Sequence, residues 1–205
     1  QFQGDCTIVS HFGDETLKSV RPLLEKGMDT FIRDNRQVEI LKKIEKNQSP
    51  KEGKFFDLVS ANDPFGFDVR EKGSYKRVRA PYKSKPHKNS ILYYYNGWRK
   101  EGIGHVNKDL VRKNINLINS HKILVPRVWG TGNPSTDRVS PFLADPNSCC
   151  TETYLVIGPF DSKKEATNCL AYMETKFFQY MVSLMKQVII MEQHMVEMMQ
   201  MISTL

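Results

Sequence analysis

The chain lacks the residue patterns on which most enzyme classes depend. Its five histidines are scattered, without the HExxH or HxH spacing that places two ligands on one metal ion. It has no GxSxG segment, so the turn that exposes a nucleophilic serine is missing. Gly102–Gly104 and Gly130–Gly132 lack the third glycine and the helix of a dinucleotide loop, and the lysine of a P-loop. We therefore expect no complete active site.

Cysteine and long apolar runs are also scarce. The four cysteines, Cys6, Cys149, Cys150 and Cys169, contain no CxxC pair, so they form neither a zinc ligand set nor a secreted disulfide framework. A reduced, cytoplasmic protein is the simplest interpretation, with the adjacent pair buried at the start of a strand. No apolar run approaches the ~18–20 residues of a membrane span, so no membrane partner is expected. Because the chain passes from Gln1 directly into strand-like sequence, we expect a fragment of a longer protein.

Positive charge is concentrated in one region. The segment from Arg70 to Lys100 has a net charge of +9, whereas the whole chain has +7. Its aromatic residues are Tyr75, Tyr82, Tyr93, Tyr94, Tyr95 and Trp98. Cations gain free energy by releasing counterions from phosphates, and rings can stack on bases, so nucleic acid is the leading ligand. A solvated basic face is the alternative, and charge alone does not decide between the two.

The candidate DNA-binding residues are cations in and near this region. They are Lys76, Arg77, Arg79, Lys83, Lys85, Lys88, Arg99, Lys100, Arg127 and Arg138. Arginine offers a planar fork to guanine or phosphate, whereas loop lysines position the backbone. We expect the loops at 79–88 and 127–147 to reach base edges. Of the segment Tyr93–Tyr95, at least one ring should pack in the core, and core packing is also favoured for Trp98 and Trp129.

The pattern of the N-terminal half predicts both strands and helices. Cys6–Ser10 and Thr16–Val20 are typical of a β-hairpin, and a helix with apolar residues at helical spacing follows Asp34 or Asn35. Residues 47–53 form turns and are the best candidate linker. A short helical turn at 55–59 follows. Strands are then predicted at 74–79 and 91–95.

The C-terminal half should complete an α+β fold. We predict a helix over 108–118 and strands at 122–126 and 151–157. Ser162 and Glu165 have the spacing of a capping box, which begins one helix running to about residue 186. The expected architecture is a mixed or antiparallel sheet with packed helices and a long C-terminal helix.

The last segment of the chain has a heptad pattern. Apolar residues at 4–3 spacing indicate a coiled coil: Leu184, Val188, Met191, Met195, Met198, Ile202 and Leu205. Two interpretations remain open for residues 188–205. They form either a truncated or out-of-frame end, which we favour, or a genuine helix for a partner.

Seven blocks of sequence carry a resemblance to a known family. They are Gly4–Cys6, Arg21–Leu24, Asp29–Arg33, Asp63–Phe67, Lys122–Pro126, Ser148–Val156 and Lys176–Phe178. In this order they are similar to the C-terminal, target-recognition part of bacterial adenine-specific restriction–modification DNA methyltransferases, namely the TaqI-like group and its fused type II relatives. The resemblance covers residues 4–187.

The resemblance implies that two parts of the chain belong to different domains of the parent enzyme. Residues 1–48 would be the end of the catalytic methyltransferase domain with a connecting helix, and residues 49–187 the domain that binds double-stranded DNA. The family's N-terminal domain binds S-adenosylmethionine and holds the flipped adenine with an Asn/Asp-Pro-Pro-aromatic motif, which this chain lacks. We therefore expect no cofactor in this chain and no methyl transfer by it alone. The missing catalytic domain is an implied partner.

A different class of function stays open. The chain could be an interaction or assembly protein that binds a helical partner through residues 184–205, and its basic region would then be incidental. In that case oligomerisation would depend on the tail and DNA would not bind.

Overall fold

The computed structural model describes residues 4–12, 14–26, 31–32, 35–46, 55–70, 77–78, 80–95, 102–128 and 138–185. Their strands are β1 Asp5–Phe12, β2 Glu15–Pro22, β3 Val69–Arg70, β4 Arg77–Val78, β5 Tyr82–Lys83, β6 Ser90–Tyr94, β7 Ile103–Asn107, β8 His121–Pro126, β9 Phe142–Ala144, β10 Ser148–Cys150 and β11 Tyr154–Phe160. Their helices are α1 Asn35–Lys46, α2 Lys163–Met173 and α3 Lys176–Met185. The mixed α and β content confirms the predicted α+β class.

The N-terminal hairpin is held to the helix that follows it by one buried arginine. β1 and β2 pair antiparallel from Asp5 and Pro22 to Phe12 and Glu15. Arg21 is buried; its Nε donates to Asn35 Oδ1 at 2.9 Å, and its Nη1 pairs with Glu25 Oε1 at 3.3 Å. The predicted hairpin and helix are thus confirmed, and the Arg21 block of the resemblance has a structural role.

A three-stranded antiparallel sheet, in the order β11-β8-β9, lies at the centre of the fold. Alternation along β8 places Ile123 and Val125 in one core and Leu124 in another. The first core lies against the helices and contains Ile32, Val38, Leu41, Ile123, Val125, Val139, Leu155, Ile157, Met173, Phe178, Met181 and Val182. Because both faces of the sheet are covered, β8 consists almost entirely of buried residues.

The second core joins this sheet to a four-stranded mixed sheet in the order β10-β6-β7-β5. β10 runs parallel to β6, whereas β6–β7 and β7–β5 are antiparallel. Consecutive strands alternate between the sheets, since β9 and β11 belong to the three-stranded sheet and β10 to the other. Phe65, Tyr93 and Val106 pack in this core with Phe142 and Tyr154 of the central sheet.

The predicted helix over 108–118 is wrong. Two short 3-10 segments, Lys108–Leu110 and Ile115–Ile118, stand in its place. Val111 is extended with ψ 123°, and Asn114 is left-handed with φ 48°, so neither continues a helix. The Asn114 side chain instead donates to Pro64 O at 2.7 Å, which ties the segment to the loop at 63–67.

The single helix predicted from residue 163 to 186 is also wrong. α2 ends at Met173 and α3 begins at Lys176. Thr175 Oγ1 accepts a bond from Phe178 N at 3.2 Å and caps the new helix, whose residues Phe178 and Met181 enter the first core. No long helix therefore occurs up to residue 185, and the heptad segment beyond it lies outside the described residues, as does the linker at 47–53.

Other local predictions are closer to the structure. Ser162 Oγ accepts from Glu165 N at 3.2 Å, and Glu165 Oε2 accepts from Asp161 N at 3.1 Å, so the predicted helix start is confirmed. The strand predicted at 122–126 is β8 with one more residue. The strand predicted at 151–157 begins later, at Tyr154, because residues 151–153 form a turn. The strand predicted at 91–95 is β6, and β4 lies within the one predicted at 74–79.

Candidate nucleic-acid interface

Three of the candidate cations lie together on an ordered turn at the end of the four-stranded sheet. Lys83 is in β5, the terminal strand of that sheet, and Lys85 and Lys88 are in the turn that leads to β6. All three are exposed. In the part of the chain that the structure describes, no acidic side chain forms an ion pair with any of them. We call Lys83, Lys85 and Lys88 the lysine turn.

The backbone of the lysine turn is fixed by hydrogen bonds. His87 N donates to Ser90 Oγ at 2.9 Å, and Ser90 N donates to His87 O at 3.0 Å. Asn89 has φ 59°, and its Nδ2 donates to Asn107 Oδ1 at 3.1 Å and to Asp109 Oδ2 at 3.0 Å. Asparagine tolerates this left-handed conformation better than most residues. The turn therefore presents its lysines from a defined backbone.

Tyrosine rings lie beside these lysines. Tyr82 stacks on Tyr95 with ring centroids 4.2 Å apart and planes at 24°. Tyr95 lies 6.0 Å from Tyr93, and Tyr93 lies 5.0 Å from Phe67. Tyr93 is 1% exposed and Tyr82 41%, so the series of rings leads from the core to the surface. The prediction that one ring of Tyr93–Tyr95 packs in the core is confirmed.

Gly104 makes room for the stacked pair. A Cβ atom at this position would lie 2.8 Å from Tyr82 Cδ2, closer than real Cβ atoms come, and 3.2 Å from Lys83 O, which is a tight contact. Glycine in a strand marks such close approaches. The sequence signal was weak, because Gly104 lies between Ile103 and His105 in a segment that was not predicted as a strand. Sequence reasoning had considered it only as part of a failed dinucleotide loop.

The remaining candidate cations are distributed differently. Arg127 follows β8, and its Nη1 donates to Glu152 O at 2.9 Å, so this half-buried side chain braces the turn before β11. Arg138 is exposed. Arg77 lies in β4, where its backbone pairs with Arg70. Four candidates and both tryptophans lie outside the described residues: Lys76, Arg79, Arg99, Lys100, Trp98 and Trp129.

Sequence reasoning missed a buried lysine beside the adjacent cysteines. Lys122 in β8 is completely buried, and its Nζ donates to Ile118 O at 3.2 Å, Ser120 O at 3.3 Å and Asp145 O at 3.4 Å. Burial lowers the pKa of its ammonium from 10.5 to about 8. The signal was a lysine directly before an unbroken apolar run, at the start of the strand predicted at 122–126. Its bonds join the turn before β8 to the turn before β10.

The adjacent cysteines have no nucleophilic role in this environment. Cys149 and Cys150 are both fully buried, as predicted, but they end the short strand β10 and do not start the strand that follows. Burial raises the pKa of both thiols well above the ordinary value of 9.0, although the nearby Lys122 ammonium opposes the shift. Because the thiolate is the reactive form of cysteine, the pair is inert at neutral pH. Its contribution is packing.

The block Asp63–Phe67 has a structural role. Asp63 Oδ1 accepts from Phe67 N at 2.7 Å, and Gly66 has φ 80°, a conformation that glycine adopts without strain. Phe65 and Phe67 are buried in the second core. The block therefore anchors a loop.

Neither the described residues nor comparisons with known proteins identify a metal site, a membrane span or a family. In the described residues, no three His, Cys, Asp or Glu side chains come together in a group that could hold a metal ion. None of the helices described is both long and apolar enough to cross a membrane. No family model, no curated protein and no solved structure matches the chain.

Proposed function

We propose that the chain is a DNA target-recognition fragment of an adenine-specific (N6) DNA methyltransferase of a restriction–modification system. One observation carries the DNA-binding part: the lysine turn holds three exposed cations within six residues, beside an exposed tyrosine. The resemblance over residues 4–187 supports the methyltransferase part.

The lysine turn matches the chemistry of a phosphate backbone. An ammonium group is a point charge that binds phosphate without base preference, so these residues set affinity and register. Each phosphate that is neutralised releases counterions. Three such contacts give a slope of about −2.7 for the logarithm of the association constant against the logarithm of salt concentration.

Sequence discrimination in this proposal comes from the neighbouring loops. Arg138 is exposed after the segment 129–137 and is available to read a base edge. Each bidentate arginine–guanine contact is worth about 1–3 kcal/mol against a wrong base. Arg127 acts differently, since its hydrogen bond to Glu152 O positions the turn before β11.

The proposed fragment binds DNA and performs no chemical step. Residues 1–48 are the end of the catalytic domain, and S-adenosylmethionine binds to the part of the parent enzyme that precedes them. The four cysteines are all free thiols, as is usual in the cytoplasm, where we place the enzyme.

Selection of bound duplexes from a randomised DNA pool tests the proposal. At about 150 mM salt, where nonspecific binding is weak, we expect enrichment of a short adenine-containing sequence. The triple variant Lys83→Gln, Lys85→Gln, Lys88→Gln should bind the enriched duplex more weakly than the unchanged chain does. A charge-matched control replaces three exposed lysines elsewhere: Lys18, Lys164 and Lys176. Absence of enrichment, or equal loss of binding in the two triple variants, would contradict the proposal.

A further inference from the structure

Tyr82 is an exposed ring with a fixed position. One neighbour, Tyr95, stacks on it at 4.2 Å, and Gly104 lies so close that a Cβ atom would clash with it at 2.8 Å. Even so, 41% of Tyr82 is open to solvent. Since the stack continues through Tyr93 to Phe67 in the core, the ring is held before any ligand arrives. A held side chain loses little conformational entropy when it binds.

The surroundings of Tyr82 select a negatively charged aromatic ligand. Lys85 and Lys88 lie in the turn that follows β5, three and six positions after Tyr82, whereas Lys83 neighbours it in the strand, where successive side chains point to opposite faces of the sheet. A ring next to ammonium groups is the combination with which single-stranded nucleic acids are bound: the base stacks and the phosphates meet the cations. The lysines alone would serve for duplex phosphates, so the fixed ring requires a separate explanation.

A paired base cannot use this ring. Within a duplex both faces of each base are covered by its neighbours, and only base edges are open in the grooves. A flat ring can therefore stack only on a base that has left the helical stack or belongs to a single strand.

We propose that Tyr82 is a stacking residue for an unpaired nucleobase, so that the β5 edge binds nucleic acid in which at least one base is unstacked. This inference rests on the proposed DNA-binding function. It adds a ligand class, a single-stranded or locally opened segment, that phosphate contacts alone do not require.

The test compares ring variants on two DNA probes with the full chain. The probes are a dT12 single strand and a fully paired duplex of two complementary strands, and affinity is measured by fluorescence anisotropy. For Tyr82→Leu we expect dT12 affinity to fall about 5- to 140-fold, the equivalent of about 1–3 kcal/mol per stacked base. Tyr82→Phe keeps the ring and should bind dT12 like the unchanged chain. Affinity for the duplex should be the same in the unchanged chain, Tyr82→Leu and Tyr82→Phe.

A second measurement does not depend on how the variants fold. A dT12 strand with one central 5-iodo-2′-deoxyuridine is irradiated with the unchanged chain, and the crosslinked peptide is identified by mass spectrometry. We expect the crosslink at Tyr82, because the photoreaction favours a ring stacked on the iodinated base.

The outcomes separate the two proposals. If neither probe binds, the DNA-binding function fails and this inference fails with it. If the duplex binds but Tyr82→Leu binds dT12 as tightly as the unchanged chain, or the crosslinks lie only at other residues, stacking is overturned and DNA binding stands.

Discussion

The buried lysine of β8 gives a prediction whose sign depends on pH. Lys122 is completely buried, and burial lowers its pKa from 10.5 to about 8. Since one pKa unit corresponds to about 1.4 kcal/mol, keeping this ammonium charged in the folded chain costs about 3 kcal/mol near neutral pH. Lys122→Met removes that cost and keeps a side chain of similar length.

The same substitution removes three hydrogen bonds. The carbonyl oxygens of Ile118, Ser120 and Asp145 lose their donor, at about 1 kcal/mol each. The gain and the loss nearly cancel, so we expect the free energy of unfolding of Lys122→Met to lie close to that of the unchanged chain at about pH 7.

The difference between the two chains should then change as pH rises. Above the folded pKa of about 8 the folded chain releases the lysine proton, whereas the unfolded chain holds it up to 10.5. Above pH 10.5 the lysine is neutral in both states and lowers the free energy of unfolding by nothing. As pH falls through about 8 the folded chain must carry the buried charge, and that stability is lost. Between about pH 7 and about pH 9 the unchanged chain should gain about 1 kcal/mol relative to Lys122→Met.

The assay is urea unfolding of both chains at the two pH values, under reducing conditions and followed by circular dichroism. Burial raises the pKa of the Cys149 and Cys150 thiols above 9.0, so their stabilisation is lost as pH rises past that value. At about pH 9 the folded thiols stay protonated with or without the Lys122 ammonium, so the loss comes from the unfolded chain alone and cancels in the comparison. The exposed Lys164→Met serves as control. An identical difference in unfolding free energy at both pH values would refute the reasoning.

Three further predictions concern the interface and the fold. In the triple variant Lys83→Gln, Lys85→Gln, Lys88→Gln, the salt dependence of duplex binding, measured by anisotropy from about 50 to 200 mM salt, should become shallower by about 2.7; an unchanged slope would exclude these lysines as phosphate contacts. Gly104→Ala forces a Cβ atom against a tyrosine ring and the backbone of β5, so urea unfolding should show a loss of about 1–3 kcal/mol; a neutral effect would mean that the stack moves freely. Ser162→Ala removes the cap of α2 and should lower the thermal midpoint, with a loss of about 1 kcal/mol, while DNA affinity stays unchanged.

Local patterns predicted those elements whose cause lies within a few residues. The start of α2 depends on Ser162 and Glu165, three positions apart, so the capping box was visible in the sequence. The hairpin of β1 and β2 follows from two alternating runs around a short turn, and β8 from a continuous apolar run.

Long-range contacts decided the elements that were mispredicted. The segment 108–118 has helical spacing, but Asn114 bonds Pro64 O, fifty positions away, and the chain bends to reach it. The break between α2 and α3 places Phe178 against the first core, a gain that the helical pattern does not reveal. Propensity is a weak prior, and tertiary packing overrides it.

The candidate site was predicted in outline only. Charge clustering identified Lys83, Lys85 and Lys88, which lie together on one turn. Arg127, a candidate outside the charged segment, has a structural partner that the sequence could not reveal, because Glu152 O lies 25 positions away. It also missed Lys122, because a charge that the fold buries looks in the sequence like any surface charge.

The chain crosses from the three-stranded sheet to the four-stranded sheet at β10 and returns at β11, and this has a consequence for how it folds. β10 can pair with β6 only when a segment almost sixty positions away is already in place, and β9 and β11 on either side of it must join the other sheet. Because the strands of the two sheets alternate along the chain, we expect both sheets to form in one cooperative and slow step, as is typical of non-local pairing. The turn that carries the lysines joins β5 to β6 at the opposite edge of the four-stranded sheet from β10, so we expect substitution of its exposed lysines to leave that step unchanged.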